Sequence, residues 1–98
     1  MTRDQVLSTL RDHRPQLEAQ GVMHAALFGS LARGDQGHDS DIDIMVEIDP
    51  GAEVGLFGYS GIILYIEDLF EYAVDVCERR ALKAHVRPSA ERDALYAF

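Results

Sequence analysis

The most chemically informative residues of this chain are two acids that alternate with apolar side chains, Asp41 and Asp43. Positions i and i+2 of a β-strand point to one face, so both carboxylates project together while Ile42 and Ile44 lie on the other face. Mg²⁺ prefers oxygen ligands and takes one or two carboxylates together with substrate phosphates. A pair of such ions, about 3.5–4 Å apart, activates an attacking oxygen and neutralises a leaving one. The two acids therefore indicate metal-dependent nucleotide chemistry.

Two other kinds of site place acids at this spacing, a solvated loop and a calcium loop. The solvated loop is disfavoured because β-branched residues occupy every second position from Ile42 to Ile48, in alternation with the acids. A calcium loop that starts at Asp39 requires Gly at its sixth position and Glu at its twelfth. The sequence has Ile44 and Pro50 there, which excludes the calcium loop.

A Gly-Ser turn precedes the acids by ten residues. The apolar run His24–Phe28 predicts a buried strand that ends at Gly29, where a missing Cβ lets the backbone approach a ligand. Ser30 and the exposed N–H groups of a following helical turn suit a phosphate oxygen. Taken alone, this turn fits an ordinary strand-to-helix connection with a serine cap better. Combined with Asp41 and Asp43, it predicts a phosphate site that is neither a Walker loop nor a G-x-G-x-x-G loop.

A third acid, Asp75, lies between Val74 and Val76 in a short apolar stretch. An ionised carboxylate in such a stretch indicates a binding partner, because ionised groups are rarely buried without one. A parallel crossover would set its strand beside the strand of the acidic pair, so that three carboxylates converge on one metal site. A structural role is as well supported by the spacing as the metal site: the Asp75 side chain then faces solvent or pairs with Arg79 or Arg80.

Hydrophobic periodicity places these residues on a small framework of helices and strands. We predict an α/β (α+β) fold in which a small mixed sheet of about three strands is flanked by helices, the second and third strands being parallel. The first predicted helix runs from a Thr2–Gln5 capping box to about His13, and a second helical turn reaches Ala19. Strands are predicted at 23–28, 41–48 and 73–77, with a connector at 51–58. Further helices are predicted at 60–71 and from Ser89 to Tyr96.

Size and composition exclude several classes of protein. The 98 residues predict a single domain over 1–98. Seventeen acids against nine bases give a formal charge of −8, which disfavours direct nucleic-acid binding and favours a basic protein partner. Cys77 is the only cysteine, so we expect no disulfide and a reducing cytoplasm. No signal peptide or membrane-spanning stretch is present, and we expect no membrane partner.

The motifs together resemble a known family. The chain is similar to the DNA polymerase β-like nucleotidyltransferase superfamily, and most of all to the minimal nucleotidyltransferases (MNT) of HEPN/MNT toxin–antitoxin pairs. The segments that carry the resemblance are Phe28-Gly29-Ser30, Ala32-Arg33-Gly34, Ser40-Asp41-Ile42-Asp43, Pro50-Gly51, Val74-Asp75-Val76 and Ala81-Leu82-Lys83. The resemblance implies the nucleotidyltransferase fold.

The resemblance also assigns the site residues. It implies that catalysis and the binding of two Mg²⁺ ions belong to three carboxylates: Asp41, Asp43 and Asp75. It places nucleotide binding at four further positions: Gly29, Ser30, Arg33 and Ser40. Two roles stay open for Arg33, which either contacts phosphate or tethers an acid such as Asp35. We favour the tether.

The activity that the resemblance implies is transfer of AMP from ATP to a hydroxyl group, a tyrosine of a HEPN ribonuclease toxin, which silences the toxin. One alternative is an antitoxin that acts by occlusion without chemistry, using the acidic surface and the apolar run Leu95–Phe98. That run is more readily explained by packing on the chain's own sheet. A further alternative is a small-molecule or tRNA nucleotidyltransferase, which requires a companion subunit to bind its substrate.

Overall fold

The computed structural model describes residues 1–34 and 42–98; Asp35, Ser40 and Asp41 lie outside these residues. The helices are α1 (Arg3–Asp12), α2 (Arg14–Ala19), α3 (Gly29–Arg33), α4 (Leu56–Glu67) and α5 (Arg87–Asp93). The strands are β1 (Val22–Phe28), β2 (Ile42–Ile48), β3 (Val74–Glu78) and β4 (Leu95–Tyr96), and a 3₁₀ turn, Arg79–Ala81, follows β3. No helix of the described residues is long and apolar enough to cross a membrane.

The strands form one mixed sheet in the order β3-β2-β1-β4. β1 is antiparallel to β2 and β4, whereas β2 and β3 are parallel, as the crossover predicted. The sheet has four strands rather than about three, and the prediction of a helix reaching Tyr96 was wrong. The chain leaves the helical conformation at Ala94, and the N–H of Ala97 donates to the carbonyl oxygen of Ala25 at 2.8 Å. The open edge of β1 is thereby hydrogen-bonded.

The main core lies on one face of the sheet, where alternating residues of β1 and β2 meet α1, α2 and α4. Its fully buried side chains include Leu10, Leu17, Ile44, Ile62 and Ile66. The alternate residues Ala26 and Met45 point to the opposite face and are also buried. Helix α5 packs against β1 and buries Ala90. Both faces are therefore at least partly covered, which holds the middle of β2 rigidly.

The predicted start of α1 agrees with the structure, whereas the predicted bounds of α4 do not. The capping box is confirmed, because the Thr2 hydroxyl accepts from the N–H of Gln5 and the Gln5 side chain accepts from the N–H of Thr2. Helix α4, however, starts and ends four residues earlier than the predicted 60–71. Its first turn contains Gly58, a poor helix former, yet packing of Ile62 and Ile66 into the core favours the helix.

Candidate active site

The turn from β1 into α3 depends on Gly29. Its φ of +76° lies in the left-handed region, which residues with a Cβ rarely adopt. A Cβ at this position would overlap Oδ2 of Asp43. The glycine therefore permits both the sharp turn and the close approach of the Asp43 carboxylate to the backbone. The first N–H groups of α3 have no partner within the helix, so this turn also offers donors to an anion.

Asp43 and Asp75 lie side by side on neighbouring strands. They are register partners in the parallel ladder between β2 and β3, and strand neighbours lie about 4.8 Å apart. The N–H of Ile42 donates to the carbonyl oxygen of Ala73 at 3.0 Å, which fixes the register at the start of both strands. Asp75 is exposed, Asp43 is half-buried, and the turn at Gly29 borders the pair.

Cys77 lies close to the two described carboxylates. It lies two residues after Asp75 and therefore on the same face of β3. Burial, followed by the negative charges of Asp75 and Asp43, raises the pKa of the Cys77 thiol to about 11. The thiol also points at the carbonyl oxygen of Ile44, with Sγ 3.7 Å away. Cys77 is thus a packed thiol that stays protonated near neutral pH.

The residues at this site fit a divalent cation. Two adjacent carboxylates repel each other, and hard oxygen donors beside a glycine turn are what Mg²⁺ takes together with phosphate. Within residues 1–34 and 42–98 no group of three His, Cys, Asp or Glu side chains could hold a metal ion. Asp41 and Ser40 lie outside these residues. The three-carboxylate site therefore stays a prediction, of which the structure places two members together.

Arg33 is tied to a neighbouring helix. Its Nη1 donates to Oδ2 of Asp93 on α5 at 2.7 Å. Arg3 donates to the carbonyl oxygen of Ala32 at 3.0 Å, so α3 is held from two sides. This arrangement supports the tether role, with Asp93 as an acid that the sequence did not reveal. Ser30 occupies the second position of α3 and is half-buried at the turn.

Arg79 and Arg80 do not neutralise Asp75. Arg79 forms ion pairs with Glu47 and Glu91, and the backbone N–H of Arg80 donates to the Glu78 side chain. No ion pair of Asp75 occurs within the part of the chain that the structure describes. The alternative in which one of these arginines binds Asp75 was therefore wrong, because Arg79 reaches the other end of β2 instead.

Comparison with known proteins agrees with this geometry. Residues 7–97 match the nucleotidyltransferase domain family. The protein adenylyltransferase MntA of Thermococcus cleftensis is 31% identical over 98 residues, which cover 98% of this chain and 96% of that protein. MJ1379 of Methanocaldococcus jannaschii, assigned as a protein adenylyltransferase, is 36% identical over 97 residues, 97% of each chain.

Solved structures share the fold. A structure assigned as a minimal nucleotidyltransferase has a TM-score of 0.67 and 30% identity, covering 97% of this chain and 95% of the other. A toxin–antitoxin with AMP-PNP has a TM-score of 0.66 at 19% identity and covers 100% and 73%. A complex of a tri-AMPylated Shewanella oneidensis HEPN toxin with an MNT antitoxin has a TM-score of 0.62 at 14% identity, covering 94% and 71%. The last two likenesses concern the fold alone.

Proposed function

The chain belongs to the nucleotidyltransferase domain family, and on that premise we propose that it transfers AMP from ATP to a hydroxyl group of a protein. The observation that carries the proposal is the pair of carboxylates, Asp43 and Asp75, set in register beside the turn at Gly29, whose backbone the Asp43 carboxylate closely approaches. Two relatives that match nearly the whole chain are named protein adenylyltransferases, which supports the same reaction here.

The turn at Gly29 and Ser30 binds the triphosphate of ATP. Backbone N–H groups at the start of α3 donate to phosphate oxygens, and the Ser30 hydroxyl adds a donor. Asp43 and Asp75, with Asp41 predicted beside them, would hold Mg²⁺, which when bound neutralises phosphate charge and supports an in-line displacement. Arg33 keeps α3 in place through Asp93. Catalysis on this account is mainly alignment and charge stabilisation.

Asp75 acts on the acceptor. It is the more exposed of the two described carboxylates and lies on the edge strand β3, so an incoming hydroxyl group reaches it first. Asp75 accepts the hydroxyl proton, and the freed oxygen attacks the α-phosphorus of ATP. A new oxygen–phosphorus bond forms, the bond from the α-phosphorus to the bridging oxygen of the β-phosphate breaks, and pyrophosphate leaves.

We further propose that the acceptor is a tyrosine of a HEPN ribonuclease toxin, which the modification neutralises. One solved structural neighbour is an MNT antitoxin in complex with a tri-AMPylated HEPN toxin, and another is a toxin–antitoxin with AMP-PNP. Those facts belong to the neighbours and support the same pairing here. The occlusion alternative loses part of its basis, because Leu95–Tyr96 pairs with β1 and Ala97 is buried.

The test is labelling of a purified HEPN ribonuclease toxin. The chain, labelled ATP, Mg²⁺ and the HEPN protein are combined, and the modified residue is located by mass spectrometry. We expect Asp43→Asn and Asp75→Asn to lower the labelling rate by about 10²–10⁴-fold, as removal of a catalytic proton acceptor or charge does. Asp12→Asn, the same change at an exposed position of α1, serves as the matched control.

Three outcomes separate the candidate functions. Labelling of the toxin that both site variants lose supports the proposal. Protection of cells by the same variants, without labelling, identifies an antitoxin that acts by occlusion. Labelling of tRNA or a small molecule in place of protein assigns the chain to the third class of nucleotidyltransferase.

A further inference from the structure

Helix α4 presents large apolar side chains to solvent on the face that points away from the core. Leu56, Phe57 and Leu64 are 78%, 92% and 60% exposed. Phe57 and Leu64 are seven residues apart, so they lie on one face about 10 Å apart along the axis. The exposed Ser60 lies between them. We call Leu56, Phe57, Ser60 and Leu64 the α4 stripe. Outward helix positions are normally polar, and clustered exposed apolar residues mark interaction surfaces.

The chain segment that contains the α4 stripe carries acids and no Lys or Arg. Residues 34–78 contain twelve acids and no Lys or Arg, whereas the rest of the chain has five acids and all nine bases. Four exposed acids flank the stripe in sequence: Glu53, Glu67, Asp68 and Glu71. No basic residue occupies the last turn of α4, where the helix dipole is already negative. A cation supplied from outside would be stabilised there.

We propose that the α4 stripe is the surface on which a protein partner docks, through apolar side chains ringed by Lys and Arg. The inference rests on the proposed function, because it identifies how a chain of this size holds a protein acceptor. A second copy of the chain is disfavoured, because two α4 faces would bring like charges together. A basic partner gains both burial of Phe57 and charge complementarity.

The position of the α4 stripe suits an acceptor that reaches Asp75. α4 packs against β3 and runs from the far end of the sheet back towards the start of β3. Its end at Glu67 is followed after six residues by Val74, immediately before Asp75. A partner anchored on Leu64 therefore lies beside the edge strand that carries the proton acceptor, and the same contact that binds it also orients its hydroxyl group.

The experiment measures binding of the chain to the purified HEPN toxin of the labelling test, by calorimetry. We expect the double variant Phe57→Ser/Leu64→Ser to bind at least about tenfold more weakly, as loss of an apolar anchor does. Met23→Ser is the matched control, because Met23 is also exposed but lines a cavity with Glu47 and Arg79. Thermal unfolding of all variants checks that the fold persists, which exposure of these side chains predicts.

Each result decides the proposal. Weaker binding of the double variant with unchanged binding of Met23→Ser supports it, whether or not AMP is transferred. A stripe-dependent complex without AMP transfer contradicts the proposed function and leaves the docking surface standing. Equal binding of the double variant overturns the surface, even when AMP transfer proceeds normally. A dimer of the chain in sedimentation that the double variant abolishes overturns the proposal in favour of a second copy.

Discussion

Strand β2 carries two carboxylates on one face, and the two meet opposite surroundings. Glu47 is bound by Arg79, which also binds Glu91 of α5. Four residues earlier, Asp43 faces Asp75 across the ladder. The hydrogen bonds that Arg79 donates to Glu47 and Glu91 raise the pKa of Arg79 above its ordinary value, whereas at the other end burial, followed by the charges of Asp75 and Asp43, raises the pKa of Cys77. One end of the strand carries an acid paired with Arg79, and at the other end two acids are register partners on neighbouring strands.

This difference separates an acid with a structural role from the acids to which the proposed function assigns catalysis. Glu47 has a cationic partner that also fastens α5 to the sheet, so its charge contributes to packing. Asp43 and Asp75 repel each other, and their arrangement is favourable when a cation and a phosphorylated ligand bind. Functional sites commonly retain such locally unfavourable arrangements. Substitutions at the two ends should therefore have opposite effects on activity and stability.

The largest expected effect is the difference in the rate of AMP transfer between Asp75→Asn and Glu47→Gln. Asp75→Asn should lower the rate of AMP transfer by about 10²–10⁴-fold, while the thermal midpoint in metal-free buffer stays unchanged or rises because a repulsion is removed. Glu47→Gln should lower the midpoint and leave the rate near that of the unaltered chain. Rate assays and calorimetric scans on the same preparations check both. The comparison fails if Glu47→Gln is the less active variant.

Gly29→Ala should impair both stability and transfer, and Gly34→Ala provides the control. Both glycines have φ near +80°, so each substitution carries a backbone cost of about 1–2 kcal/mol. Only Gly29→Ala also places a Cβ against Asp43, which adds about 1–3 kcal/mol to the loss of stability. A displaced carboxylate should slow transfer by about 100-fold. Equal free energies of unfolding for the two variants would contradict the close approach.

Arg79→Ala should lower the thermal midpoint without slowing AMP transfer. The change leaves Glu47, whose side chain is mostly buried, and Glu91 without their shared cation. Arg79→Lys should recover only part of the midpoint, because a single ammonium group cannot reproduce two directed guanidinium contacts. Thermal unfolding followed by circular dichroism measures the difference. A midpoint that no Arg79 variant alters would show that this end of the strand is not stabilised by the ion pairs.

The smallest effect concerns the Cys77 thiol. In chelator-treated protein, alkylation of Cys77 should be slow at pH 8 and reach half its maximal rate near the thiol pKa of about 11. Asp75→Asn removes a nearby negative charge and should lower that midpoint. Folding raises the pKa of Cys77 from its ordinary value of 9. The contribution of this thiol to the free energy of unfolding is therefore complete below pH 9 and is lost as the pH rises towards 11. Denaturant titrations across that range check the sign.

The parts of the site that follow local periodicity could be predicted from the sequence. Alternation of Ile42, Ile44 and Val46 set the face on which Asp43 projects, and the crossover helix made β2 and β3 parallel. Those two features predict that Asp43 and Asp75 lie on neighbouring strands, as the register of β2 and β3 shows. The role of Asp41, which lies outside the described residues, stays a prediction.

The remaining features depend on partners far apart in the chain. The ion pair between Arg33 and Asp93 spans sixty residues, and no local pattern marks it. Leu95–Tyr96 is too short to show strand alternation, and it pairs with β1 because that edge offers free backbone groups. Helix α4 begins at Leu56 because core packing overrides glycine propensity. Propensity alone could not reveal these three features.

The outermost position of β3 has a consequence for solubility. An edge strand of five residues exposes backbone groups that could template pairing with another molecule, and charged side chains discourage such pairing. Asp75 and Glu78 provide those charges here. The acid that abstracts a proton in the proposed reaction thus also acts as a gatekeeper against aggregation, so both requirements favour keeping an anion at this position.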